Sequence, residues 1–162
     1  MAKKIIAVAG ATGSQGGGLV RAILADPSGE FTARALTRNI DSEKAKALAK
    51  LGAEVVETDV DDVESLKRAF KNAYGAFCVT FFWEHMSPEK ETSQARNLAK
   101  AAEHAGVQNV IWSTLEDSRK SIPLNDDRMP TLQVKYKVPH LDSKADADDD
   151  FRKQSDIHAS NG

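Results

Sequence analysis

Gly10-Ala11-Thr12-Gly13-Ser14-Gln15-Gly16 stands between an apolar run, Ile5-Ile6-Ala7-Val8-Ala9, and an amphipathic one, Leu19-Val20-Arg21-Ala22-Ile23-Leu24. Strand, glycine turn and helix in that order form the context in which a dinucleotide fingerprint counts as evidence. Glycines permit a tight turn and close approach of the backbone to a pyrophosphate. The free N–H groups and positive dipole end of the following helix then face the anion. Gly16, Gly17 and Gly18 fall in the first helical turn, where each costs about 1 kcal/mol relative to alanine. A merely flexible turn would carry that cost for nothing.

Outward from this motif, strand and helix patterns alternate. A second strand covers residues 31–36, a helix 42–50 closed by Gly52, and a third strand 54–58. The next helix begins near Asp61, with Glu64 as its capping-box partner, and buries Val63, Leu66 and Phe70. Residues 76–81 form a continuous apolar run, as a parallel strand covered on both faces requires. Ser87-Pro88 open a helix that ends at Gly106, and a fifth strand covers 109–113. Five strands joined by helical crossovers predict an α/β fold with a doubly wound parallel sheet. Residues 117–140 read as a long loop, 143–153 as a polar helix, and 154–162 as an irregular tail of one domain spanning 1–162.

Composition removes several function classes. The chain has 162 residues, 41% hydrophobic and 28% charged, ordinary values for a globular domain with one core. A formal net charge of −2 offers no global attraction to nucleic acid or to an anionic membrane. The N-terminal apolar run is too short for a signal peptide or a membrane span. One cysteine, Cys78, excludes an internal disulfide. These features together fit a reducing, cytoplasmic setting.

The end of the second strand separates the two nicotinamide cofactors. An acid there would bond the ribose 2′-hydroxyl, whereas an arginine would accept a 2′-phosphate. The residues are Leu36-Thr37-Arg38-Asn39, with no acid. Arg38 therefore favours NADP(H), against the alternative of a solvated surface arginine. Asp59 is read two ways, as a partner of the adenine amino group or as a helix N-cap. Thr80, Phe81 and Phe82 end the fourth strand at the ligand-binding edge of such a sheet, and Trp83 is assigned to packing.

With these residues quoted, the sequence resembles the NmrA-like proteins, an atypical branch of the short-chain dehydrogenase/reductase superfamily with a Rossmann-type fold. Gly10 to Gly17 and Leu36 to Asn39 carry the resemblance. Residues 80–84 (Thr-Phe-Phe-Trp-Glu), 113–117 (Ser-Thr-Leu-Glu-Asp) and 138–144 (Val-Pro-His-Leu-Asp-Ser-Lys) extend it. The closest subgroup is the HSCARG-type redox sensors. The resemblance implies that Gly10, Ala11, Thr12, Gly13, Ser14, Gln15 and Gly16 hold the pyrophosphate and Arg38 the 2′-phosphate of NADP(H). It also implies Asp59 and Val60 at the adenine, Thr80, Phe81 and Phe82 along the ribose and nicotinamide, and Lys144 at the nicotinamide ribose. It further implies a sensor that exchanges contacts with a protein partner, or with itself, and catalyses little or nothing. Two departures stand out. Ser93 replaces a lysine of some members, and family members are longer, which implies a truncated product with the edge of strand five unpaired.

Catalytic machinery is sparse. The Tyr-x-x-x-Lys pair of typical reductases fails at Tyr136, followed by His140, and at Tyr74, followed by Cys78. Ser113 has no tyrosine to assist. Lys144 reads either as a weak candidate acid or as a solvated helix lysine. His85, His104, His140 and His158 lack paired ligand spacing, and Asp146, Asp148, Asp149 and Asp150 read as a solvated helix face, so no metal is predicted. Reduction of a quinone or small carbonyl compound by NADPH is the alternative function.

Overall fold

A computed structural model describes the backbone of residues 2–159 and the side chains of 2–153. The elements are β1 Lys4–Val8, α1 Ser14–Ala25, β2 Phe31–Thr37, α2 Glu43–Lys50, β3 Glu54–Glu57 and α3 Val63–Phe70. They continue with β4 Gly75–Cys78, α4 Pro88–His104, β5 Asn109–Trp112, α5 Pro139–Ala145 and α6 Asp148–Ala159. All strand pairings are parallel, in the order β3-β2-β1-β4-β5. The chain steps outward from β1 through β2 to β3, then returns to lay β4 on the other side of β1. Crossovers beside β1 therefore leave in opposite directions and open a crevice at the carboxyl ends of β1 and β4.

Alternation along the strands divides the core into two layers. Ala7 and Ala9 pack with Leu66, Phe70, Leu98 and Ala102 on the face covered by α3 and α4. Val8, Ala33 and Ala35 pack with Val20 and Leu48 on the face covered by α1 and α2. The central strands are rich in alanine, and Leu66, Phe70 and Leu98 on one face and Val20 and Leu48 on the other supply the larger side chains of each layer.

Several boundaries follow the sequence signals. Ser42 caps α2 by accepting from Ala45 N, and Gly52 beyond it is left-handed at φ +102°. Ser87 caps α4, Pro88 occupies its first turn, and Gly106 follows at φ +65°. Others differ. Asp62, not Asp61, caps α3, because Asp61 is drawn to Gln94 Nε2 at 2.9 Å and Lys90 Nζ at 3.3 Å. β4 ends at Cys78, where pairing with β5 stops. The polar helix expected over 143–153 is two helices, α5 and α6. Helix continues through Ala159, so the tail expected to be irregular from 154 is helical to that point, and residues 160–162 lie outside the described residues.

The long loop is held by one buried carboxylate. Asp142, fully buried in α5, accepts from Ser118 N and Oγ, Lys137 N and Val138 N at 2.6–3.0 Å. Arg119 forks between Asp117 and Asp146. The Arg119 guanidinium holds the Asp117 carboxyl below its ordinary range. Trp112 stacks on Phe151 at 4.7 Å and donates from Nε1 to Asp148, which fastens α6 to β5. The aspartates of 146–150 are thus only partly solvated: Asp146 and Asp148 are bonded inward, Asp150 pairs with Arg96, and Asp149 is exposed.

The glycines of α1 differ in what they are for. A Cβ at Gly16 would collide with the Gly10 carbonyl, and one at Gly17 would lie 3.1 Å from Ala11 O, whereas one at Gly18 meets nothing. Gly16→Ala is expected to lower stability by about 1–3 kcal/mol through overpacking against backbone. Gly18→Ala, on an exposed helical position, is expected to raise it by about 0.5–1 kcal/mol. Urea titrations of the two variants, read at the midpoint, check both signs.

Candidate functional site

The turn after β1 forms because Gly10 adopts φ +59°, a conformation that disfavours any side chain. Gly13 N then donates to Gly10 O at 2.9 Å, and α1 begins at Ser14. Gly13 is the N-cap and provides no side-chain acceptor, and the first turn holds no acidic residue. The leading amides of α1 are therefore left for an external acceptor, with the helix dipole behind them. Phe81 covers the turn. A Cβ on Gly10 would lie 2.5 Å from Phe81 Cε2, and one on Gly13 3.2 Å from its Cζ.

A cavity of about 460 Å³ extends from this turn along the carboxyl edge of the sheet. It is lined by Gly10, Thr12 and Gly13 of the turn, by Arg38, Asn39, Ser42 and Lys44 beyond β2, by Glu84 and Gln94, and by Leu36, Thr58, Val60, Leu66, Val79, Thr80 and Phe81. Its lining thus carries two cations, Arg38 and Lys44, and one carboxylate, Glu84. Arg38 Nη2 donates to Glu84 Oε2 at 2.7 Å across the mouth. A second cavity, lined by Ala11, Thr12, Gly13, Ser14, Arg21 and Lys44, adjoins the other side of the turn.

Behind Thr80 lies a buried charged cluster. Glu91 of α4 is fully buried and Lys144 of α5 is 8% exposed. Lys144 Nζ donates to Thr80 O at 2.9 Å and Thr80 Oγ1 at 3.0 Å, pairs with Glu91 Oε1 at 3.1 Å, and sits 5.0 Å over the Trp112 ring. Thr80 Oγ1 donates to the same Glu91 oxygen at 2.5 Å. The other oxygen, Oε2, stands 3.4 Å from His85 Nε2, and neither atom has a hydrogen-bond partner. His85 Nδ1 accepts from Ser87 N, which leaves the ring proton on Nε2 when the imidazole is neutral. Lys144 is therefore not the solvated helix lysine that one reading of the sequence allowed.

The remaining sequence candidates separate. Gln15 Oε1 accepts from Ser113 Oγ at 2.9 Å, joining the glycine turn to the end of β5. Gly16 lies buried under the turn. Asp59 does not line the main cavity; its Oδ1 accepts from Asp61 N in a local turn, and Asp62 rather than Asp59 caps α3. Phe82 is buried among Trp83, His85 and His140 rather than in the cavity wall. Trp83 is 69% exposed, which corrects its assignment to packing: the short 3-10 turn Phe82–Glu84 turns Phe82 inward and Trp83 outward. Burial pushes the Cys78 thiol up to about 12, which rules it out as a nucleophile near neutral pH. Among the described residues no group of three or more His, Cys, Asp or Glu is placed to hold a metal ion, and no helix is long and apolar enough to cross a membrane.

Sequence reasoning missed Lys44, Glu84 and Glu91. Lys44 carried a faint signal, since it follows the cap of the helix after Arg38. Glu84 stood at the end of the quoted stretch 80–84 but with no role, and Glu91 carried no signal; their cationic partners lie 46 and 53 residues away.

The sequence matches the NmrA-like family over residues 2–155. It is 34% identical over 140 residues to the NmrA-like family domain-containing oxidoreductase FrzB of Cladobotryum sp., covering 83% of this chain and 40% of that protein. The triphenylmethane reductase of Citrobacter sp., solved in complex with NADP(H), aligns at 28% identity with a TM-score of 0.69 over 93% of this chain and 46% of its own. The negative transcriptional regulator Nmra shares the fold at 24% identity, with a TM-score of 0.76 over 95% of this chain and 43% of its own. The chain thus spans less than half the length of the relatives it matches.

Two outcomes test the buried groups. Glu91→Ala leaves Lys144 as an uncompensated buried cation and is expected to cost about 3–5 kcal/mol, whereas Glu91→Leu with Lys144→Met should recover most of that loss in chemical denaturation. Cys78 is expected to resist a thiol reagent at pH 8 in the folded chain and to react once urea unfolds it.

Proposed function

This chain belongs to the NmrA-like family, and from that premise we propose that it binds NADP(H) and serves as a redox-responsive binding protein with little or no catalysis. The observation that carries the reading is the pair of cations that lines the crevice with the glycine turn. Arg38 and Lys44 line the same cavity as that turn, and residues 36–39 at the end of β2 include no acid to take a ribose 2′-hydroxyl. A pyrophosphate on the amides at Ser14 leaves the adenosine end of a dinucleotide running toward β2, past Thr58 and Val60, where its 2′-phosphate meets a guanidinium. The relative solved with NADP(H) supports the same cofactor. Thr80 and Phe81 are then the residues along the ribose and nicotinamide. Lys144 acts on that part of the site through Thr80, whose carbonyl and hydroxyl it holds.

Little in the site supports turnover. Tyr136 is buried at 3% exposure, and Tyr74 precedes β4, at the amino edge of the sheet, where it lies against Phe31 and Lys4. Ser113 is engaged by Gln15 and Lys144 by Thr80 and Glu91. A sensor function puts the chain with the HSCARG-type subgroup and in a reducing, cytoplasmic setting, with the outer edge of β5 as the surface for a protein partner or a second copy. Ile111 on that strand is 63% exposed. The second reading, NADPH-dependent reduction of a quinone or small carbonyl compound, draws on the reductases among the relatives.

Calorimetric titration is expected to show NADP⁺ and NADPH binding more tightly than NAD⁺. Arg38→Ala should remove most of that preference, at a cost on the order of 1.5–3 kcal/mol for the lost charged contact. Equal affinity for NAD⁺ and NADP⁺ would overturn the cofactor assignment. NADPH oxidation with a panel of quinones and aldehydes should be absent for a sensor, and clear turnover would replace it with the reductase reading.

A further inference from the structure

We propose that Glu84 sets how strongly this protein discriminates between the two nicotinamide dinucleotides, by competing with the 2′-phosphate for Arg38. The inference rests on the reading of Arg38 as the phosphate's partner. Arg38 follows the end of β2 and Glu84 closes the 3-10 turn after β4; both line the cavity, and they meet across its mouth at 2.7 Å. The turn that presents Glu84 is fixed. Phe82 is buried, Glu84 N donates to Phe81 O at 3.1 Å, and Met86 N donates to Phe82 O at 2.7 Å. The backbone of Glu84 is therefore held beside the crevice, within reach of Arg38.

A phosphate is best received by a guanidinium through two parallel charge-assisted bonds. Glu84 already occupies Nη2, and a phosphate carrying near two negative charges would be drawn in beside a third. Binding the 2′-phosphate through both guanidinium nitrogens requires Glu84 to give up Nη2. Both side chains are about half exposed or more, Arg38 at 63% and Glu84 at 51%, so the carboxylate can swing into water at modest cost. The handicap is correspondingly small, and it falls on NADP(H) alone, because NAD(H) brings no 2′-phosphate to Arg38. Lys44 lines the same cavity and adds a second positive charge to its wall.

The test is calorimetric titration of NADP⁺ and NAD⁺ into the wild-type chain, Glu84→Gln, Arg38→Ala and the double variant. Thermal unfolding without ligand shows that each is folded, as exposed positions predict. Glu84→Gln is expected to tighten NADP⁺ about two- to fivefold and leave NAD⁺ unchanged. The gain should shrink as salt is raised and vanish in the Arg38→Ala background. No change in NADP⁺ affinity, an equal gain for NAD⁺, or a gain that survives in Arg38→Ala would overturn the inference. Weaker NADP⁺ binding in Glu84→Gln would also overturn it, and would make Glu84 a support for Arg38 instead. If Arg38→Ala alone leaves the NADP⁺ preference intact, the reading beneath the inference fails, and that result is visible without any Glu84 variant.

Discussion

Contact between backbone and backbone at the turn after β1 governs this molecule. α1 can start where it does only because Gly16 brings no Cβ against the Gly10 carbonyl, and Gly10 itself turns through a left-handed conformation. That contact fixes the direction of α1 relative to the sheet. It also leaves the helix uncapped by any side chain, so its first amides open toward the crevice. The same absence of side chains lets Phe81 lie directly on the turn. A feature that weakens a helix in isolation thus creates an anion-receiving end in the folded chain.

The far wall of the crevice is organised by charge taken out of water. Thr80, Glu91 and Lys144 come from the end of β4, from α4 and from α5, and one carboxylate oxygen binds both the hydroxyl and the ammonium. A buried pair of this kind contributes little net stability, because desolvation offsets much of the attraction. It does penalise any arrangement in which either partner is left alone. α5 is therefore seated at the exit of β4, and the Thr80 carbonyl and hydroxyl are held in one orientation. His85 borders the cluster without completing a hydrogen bond to it.

The rim of the crevice works by exposed charge, which is weaker and adjustable. Arg38 and Glu84 meet in a solvent-exposed pair that screening and side-chain freedom keep small. Wall and rim therefore play different parts. Backbone amides and buried charge fix the geometry, and a labile ion pair at the rim modulates it.

Most of the fold was legible in the sequence. The glycine run, the continuous apolar strands and the glycines after α2 and α4 are local signals, and each reports a conformation set by the residues that carry it. Gly10, Gly13 and Arg38, singled out by their place at the ends of β1 and β2, line one cavity. The exact cap of α3, the break between α5 and α6 and the outward turn of Trp83 were not legible. Each depends on a partner distant in sequence: Gln94 draws Asp61 from the cap, Trp112 holds α6 through Phe151 and Asp148, and burial of Phe82 expels its neighbour. The same holds for Lys144, which is solvated or buried according to whether a carboxylate awaits it. By itself the sequence determined a parallel, doubly wound sheet with a glycine turn at its first crossover. Tertiary structure alone decided which charges are paired, because pairing is a matter of distance in space and the sequence records only distance along the chain.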